Sequence, residues 1–234
     1  MQNMNEKNES KENFSDFIQK HRRAFLVLTI IIVVLAVASI AFFSVMDVFR
    51  EKAITKVEAL GSRYEELRSA LNDEESLESV LQFIQEIEDF ANSNSGYAGG
   101  RAWFIAGNMH SERKDWPRAE EAWVNAAKKI PKAYMAPIAW FNAGAAAEEQ
   151  GRAEEAIDYY RNCISAPSGF SSAPRAQFSI GRIYESLDNA EAAIEAYRVV
   201  ISDWPQDQTW NNMAQSRIIT IEAMGIPESN RTEH

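Results

Sequence analysis

The chain has 234 residues, 46% of them apolar and 25% charged, and carries a formal net charge of −10 at pH 7. Past residue 46, 19 bases stand against 30 acids, which argues against nucleic acid, whose phosphates demand clustered Lys and Arg. Cys163 is the sole cysteine, so no internal disulfide forms, and with three scattered histidines it assembles no metal set.

Residues 1–23 are polar and mixed in charge, and are expected to be a disordered tail. Ala24 to Met46 then runs without a charge. At about 1.5 Å per residue, such a helix covers roughly 34 Å, enough for a hydrocarbon core of about 30 Å. Lys20, Arg22 and Arg23 stand just ahead of it. The positive-inside rule therefore places the tail in the cytoplasm and the C-terminal bulk outside, with the membrane crossed once. A cleaved signal peptide is the competing reading, because Ala36, Val37 and Ala38 form a small-residue cleavage pattern. Cleavage there would leave apolar Ile40 to Val45 at the new N-terminus.

Residues 47–96 read as a helical stalk and a degenerate first repeat. Phe49, Ala53, Val57, Leu60, Tyr64, Leu67 and Leu71 recur at three- and four-residue steps. This stripe either forms a short coiled coil or packs on the helices that follow. Val57, Leu60, Gly61 and Tyr64 open the first unit, and Leu77 to Phe90 supply its second helix. From Asn72 to Phe90 there are seven acids and no base, either a solvated face or a patch for a basic partner.

From residue 100 onward the chain repeats itself. Gly107, Gly144 and Gly181 are 37 residues apart, and Trp123, Tyr160 and Tyr197 keep the same step. Trp103 and Trp140, with Ala119, Ala156 and Ala193, share the register, and Pro131 and Pro205 close two of the units. Glycine and alanine at the crossing of two helices let their backbones approach, and the large rings fill the remaining gap. Asp115 and Asp188 precede helical patterns and read as N-caps. Gly99 and Gly100 read as a turn before the first clear unit. His110 and Ala147 stand where a late aromatic would, which predicts looser packing.

This spacing resembles the tetratricopeptide repeat, a helix–turn–helix unit of about 34 residues with a W-x2-L-G-x2-Y…A-x3-F…P pattern. Three clear units fall at about 100–133, 137–170 and 174–207, within residues 100–207. The expected fold is all-α: an N-terminal transmembrane helix, then an α-solenoid of three repeats, one degenerate N-terminal pair and a capping helix. That cap, Trp210 to Met224, lies in a terminal segment of residues 208–234 that ends in a polar tail after Gly225 and Pro227.

No zinc, thiol, phosphate-loop or nucleophile motif occurs, so neither an enzyme nor a cofactor is called for. The more telling set is Phe104, Phe141 and Phe178, again 37 apart. The resemblance places the fifth position of each first helix along a concave groove, which makes these rings candidate peptide contacts. Arg101, Asn108, Asn142, Arg175 and Arg182 are its candidate polar neighbours, beside Ile138, Ala145 and Ser179. The alternative is that the rings are core between successive helices. Some chaperone adaptors of the family grip a terminal carboxylate with lysine and asparagine. Here Asn108 is present but no groove lysine is, so a partner with an acidic tail is disfavoured.

The architecture is similar to the bacterial ancillary translocon-subunit family, which implies contacts with the secretion channel and periplasmic chaperones. The expected function is thus a membrane-anchored scaffold binding proteins or peptides outside the cytoplasm. A self-associating structural assembly factor is the alternative.

Overall fold

The computed structural model describes residues 2–68, 77–167 and 170–225. Among these, all regular structure is helical: α1 (Gln2–Leu67), α2 (Leu77–Ser93), α3 (Gly96–Glu112), α4 (Trp116–Lys129), α5 (Met135–Glu149), α6 (Ala153–Ile164), α7 (Ala173–Ser186), α8 (Ala190–Asp203) and α9 (Gln208–Gly225). The chain divides into two units, residues 1–52 and 53–234.

The first unit is helical backbone throughout its described length. Helix begins at Gln2, where the sequence had suggested a disordered tail over residues 1–23. Neither proline nor glycine occurs before Gly61. A helix nucleated in the apolar run therefore meets no breaker on either side, and propagation costs far less than nucleation. Lys20–Leu67 contains a window of mean hydropathy 3.1, none of it buried, and is long and apolar enough to cross a membrane.

The second unit is a run of antiparallel hairpins, each helix packed on the next. Val57, Leu60 and Tyr64 share one core cluster with Val80, Phe83, Ile84 and Ile87 of α2 and with Ala102, Ile105 and Met109 of α3. The apolar stripe from Val57 to Tyr64 is therefore consumed within its own chain, and a coiled coil through it is not available. Leu71 lies outside the described residues, as do Pro227 and the C-terminal tail.

Three hairpins follow in register: α3–α4, α5–α6 and α7–α8. In each, the ring of the second helix lies over the glycine of the first. A methyl group added to Gly107 would meet Trp123 at 2.6 Å, one on Gly144 would meet Tyr160 at 2.8 Å, and one on Gly181 would meet Tyr197 at 2.5 Å. The glycines thus set how closely each pair crosses, while small alanines of the next hairpin (Ala139 and Ala143 against Trp123) close the other side.

The turn inside each hairpin also repeats. Lys114, Gly151 and Asp188 hold left-handed φ values of 59°, 71° and 57°. The following N–H groups reach back to the same carbonyl each time: Asp115 to His110, Arg152 to Ala147 and Asn189 to Tyr184, all at 2.9 Å. This is the Schellman closure of a helix C-terminus, which satisfies carbonyls that would otherwise lack partners. Asp115 caps α4 as expected, accepting from Arg118 N. The cap of α8 is Asn189, which accepts from Ala192 N at 3.1 Å, and not Asp188. Asp188 is spent on the left-handed turn, one residue too early to reach the helix.

Two other expectations are corrected. Gly99 and Gly100 form no turn; both are buried inside α3. A side chain on Gly99 would strike the Asn94 carbonyl at 2.1 Å, and one on Gly100 would strike Ile130 at 2.7 Å. The left-handed glycine at this connection is Gly96, at φ 60°. His110 and Ala147 are not loosely packed. Both are buried, and His110 Nε2 lies 2.8 Å from Glu88 Oε1.

Cys163 is fully buried in the α5–α8 cluster, and burial pushes its thiol up to about 12 from 9.0. The folded state therefore retains a proton that the unfolded chain releases from pH 9 upward. This contribution to stability is complete below pH 9 and is lost as pH rises toward 12. Native protein should leave Cys163 unmodified by a thiol reagent at pH 8 and expose it only on unfolding. The free energy of unfolding should fall between pH 9 and 10 by up to about 1.4 kcal/mol for this one proton. Cys163→Ala should flatten that slope; an unchanged slope would mean that the thiol is not its source.

Candidate protein-interaction surface

The three candidate rings lie on the first helices α3, α5 and α7, and the structure gives them different surroundings. Phe178 is only 8% exposed. Its ring is held between Tyr197, at 5.0 Å, and Trp210 of α9, at 5.3 Å. Phe141 is half-buried, with Tyr160 at 5.3 Å and Phe170 at 6.0 Å. The Arg175 guanidinium lies 4.8 Å from its centroid. Phe104 is half-buried beside the cluster of Trp123, Ala139 and Ala143. The ladder is thus graded: Phe178 is core, whereas Phe104 and Phe141 keep part of their surface. The reason is positional, since the last hairpin has α9 laid over its ring.

The polar neighbours are similarly divided. Asn108 Oδ1 accepts from Trp123 Nε1 at 3.1 Å, so it helps fix the core ring below it. Arg182 Nη2 donates to Glu148 Oε2 at 2.5 Å. Arg101 lies 4.0 Å from the Met135 sulfur, and Asn142 is half-buried. Among the described residues, neither Arg101 nor Arg175 has a carboxylate within ion-pair distance. These two arginines occupy the same position of the first and third clear units, with Ile138 at that position between them.

A second set of residues was not anticipated from sequence. Carboxylates at the ends of the first helices, together with Glu120 within α4, bridge one helix to another. Glu112 accepts from Tyr64 Oη at 2.7 Å and pairs with Arg68 at 2.9 Å. Glu120, buried on α4, accepts from Gln150 at 2.7 Å and Tyr159 at 3.0 Å, and pairs with Arg152. Glu148 accepts from Tyr160 Oη at 2.5 Å. Glu185 holds Arg217 of α9 through both Nε, at 3.0 Å, and Nη2, at 2.6 Å. Burial first, then the Glu148 carboxylate, push the Tyr160 hydroxyl well above its ordinary range. Glu148 and Glu185 share the 37-residue step, but their arginines do not, so no sequence period reveals the pairs. The acidic stretch of α2 is partly committed too, through Arg63–Glu86 and His110–Glu88.

Two cavities, of about 630 and 280 Å³, lie along the second-helix side at α4 and share Asn125 and Lys128. Neither is lined by a ladder phenylalanine. Among the described residues, no three His, Cys, Asp or Glu side chains are grouped to hold a metal ion.

A family model described as a tetratricopeptide repeat-like domain matches residues 26–223. The chain belongs to the tetratricopeptide-repeat-like family. No curated protein sequence matches it. Among solved structures, this repeat protein is similar to the MamA protein, with TM-score 0.50 and 14% identity over 71% of this chain and 86% of that one. It is likewise similar to BtubC (BKLC) from P. vanneervenii, with TM-score 0.50 and 13% identity over 77% of this chain and 87% of that one. At such identity the likeness concerns the fold alone. Tetratricopeptide-type repeats form a scaffold suited to contacts between proteins.

Proposed function

We propose that this chain is a non-enzymatic, membrane-anchored repeat scaffold that binds proteins or peptides on the extracytoplasmic side of a bacterial inner membrane. The observation that carries the reading is the uncharged run 24–46 within α1, in a helix that is long and apolar enough to cross a membrane and whose apolar window is not buried. The family match supports it by starting at residue 26, so the apolar run and the repeats belong to one matched domain. Lys20, Arg22 and Arg23 favour a cytoplasmic N-terminus. Tethering confines the repeats near the bilayer and raises their effective concentration toward other membrane complexes. The architecture suits association with the secretion translocon or with periplasmic chaperones.

On this reading the binding surface is the first-helix face around Phe104 and Phe141, with Arg101, Asn142 and Arg175 beside them. Phe178, Asn108 and Arg182 support it from beneath or through Glu148. Each apolar anchor contributes roughly 1–2 kcal/mol, so affinity lies in the micromolar range or weaker. Photocrosslinking from Asn142 in intact cells should capture envelope polypeptides, and Phe141→Ala should reduce capture at least fivefold with helicity unchanged. Capture unaffected by Phe141→Ala would move the site elsewhere. A mature chain lacking residues 1–38 would favour the signal-peptide reading and remove the anchor.

A further inference from the structure

The α3–α4 hairpin has a charge of its own. Residues 100–133 hold seven bases against four acids, while 137–170 hold two against five and 174–207 hold three against six. In a chain of net charge −10, this hairpin is a cationic island. Its pair Lys128 and Lys129 ends α4 and does not repeat. The 37-residue step leads to Ser165 and Ala166, then to Ser202 and Asp203, so the repeat fold does not require the lysines.

Local contacts account for one of the two. Lys129 is half-buried and donates to the Ala91 carbonyl, tying α4 to α2. Lys128 is exposed. The helix dipole favours a cation in the last turn but gives it no partner. Among the described residues, neither lysine has a carboxylate within ion-pair distance. Glu86, Glu88 and Asp89, which precede Ala91 on α2, are engaged by Arg63, His110 and Gln85. Glu121 precedes Lys128 by two turns, about 10 Å along α4 and roughly one Debye length away.

Lys128 stands between two hollows. The one of about 280 Å³ adds Trp103 and the amides of Asn92 and Asn125 to the two lysines. The one of about 630 Å³ reaches α6, where Val124 and Tyr159 offer apolar surface and Glu120 is already paired with Arg152. At about 100° per residue, Glu121, Val124 and Lys128 fall within about 60° of one another around α4, a single stripe between the hollows.

We propose that these hollows bind an extended segment of a partner protein, acidic at one end and apolar at the other. Lys128 and Lys129 take its carboxylates and Trp103 packs against it. Asn92 and Asn125 pair with its peptide groups, since a side-chain amide carries a donor and an acceptor as the backbone does. Charge sets the direction. The acidic end belongs on the α2 side, and the uncharged end lies over Val124, where Glu121 repels acids. The same layout selects against other anions. A flat sheet of lipid headgroups does not enter a hollow to reach half-buried Lys129, and nucleic acid needs a longer run of cations. Crossing from α2 over α4 to α6 covers two interhelix distances, roughly 20 Å, or about six extended residues. The site is separate from the first-helix face around Phe141 and does not rest on membrane anchoring.

The test uses the full chain in an uncharged detergent and a fluorescein-labelled peptide of that length, two glutamates followed by uncharged, mostly apolar residues. Anisotropy should show saturable binding that weakens as salt is added. Lys128→Glu should keep its helicity, weaken binding at least tenfold, and bind the counterpart peptide in which lysines replace the glutamates. Lys114→Glu makes the same change in net charge at an exposed position outside the hollows, and should alter binding less than twofold. Phe141→Ala should leave it unchanged. Absence of saturable binding, equal loss in Lys114→Glu and Lys128→Glu, loss in Phe141→Ala, or displacement by inorganic phosphate at constant ionic strength would each overturn the inference. Self-association abolished by Lys128→Glu, with no peptide bound by the unaltered chain, would assign the hollows to a second copy and overturn it as well.

Discussion

Tyr160→Ala should lower the free energy of unfolding by about 3–5 kcal/mol, among the largest costs of any single truncation in this chain. The ring is buried at the centre of the α5–α8 cluster, 5.3 Å from Phe141. It lies so near the α5 backbone that a methyl group on Gly144 would meet it at 2.8 Å. Removing it opens a hole against a glycine, where no neighbouring side chain can lean in. Tyr160→Phe separates the two roles of the residue. It keeps the packing and loses only the 2.5 Å hydrogen bond to Glu148, at a cost of about 1–2 kcal/mol. Stability in a repeat stack is a sum of local units and nearest-neighbour contacts. Tyr160→Ala should therefore also split unfolding into two transitions, because it weakens the joint between hairpins in mid-stack. Denaturant titration followed by circular dichroism measures both effects. A cost no greater than that of Tyr160→Phe would show that the ring over the glycine is not what holds the hairpin.

Arg152→Ala should cost about 2–4 kcal/mol, more than a surface ion pair, because it strands Glu120, whose side chain is only 7% exposed. Arg152 is itself about one-third exposed, which moderates the figure. Gln150 and Tyr159 remain as donors and prevent a larger loss. Replacing both partners, Glu120→Met with Arg152→Met, should recover most of the deficit, since no charge is then left buried. The double-mutant cycle reads the coupling directly, and for a shielded pair it should persist in high salt. A single-mutant loss below about 0.5 kcal/mol would place the pair with ordinary surface bridges.

Both results bear on function through rigidity. Phe141 takes its orientation from Tyr160 beneath it and from Arg175 of the next hairpin. Loosening either joint should blur the candidate surface before the fold is lost. The proposed face and the stabilising core thus share the same rings.

The primary sequence already contained what depends on short-range pattern. The 37-residue step, the glycine opposite a large ring, the cap at Asp115, the stops at Pro131 and Pro205 and the uncharged N-terminal run each involve residues within one hairpin or one helix. Local backbone geometry and helical period fix such features. Where a local signal was read one residue early, as at Asp188, the repeat register itself points to Asn189, two units after Asp115. The tertiary structure alone decided which side chains remained accessible. Phe104, Phe141 and Phe178 are equivalent by position, yet Phe178 is core because Trp210, from a helix outside the repeat period, closes over it. Glu120, Glu148 and Glu185 became joints between helices only when arginines 32, 34 and 32 residues further on came within reach. Burial and pairing depend on what arrives from distant parts of the chain, and no periodicity within a single unit encodes that.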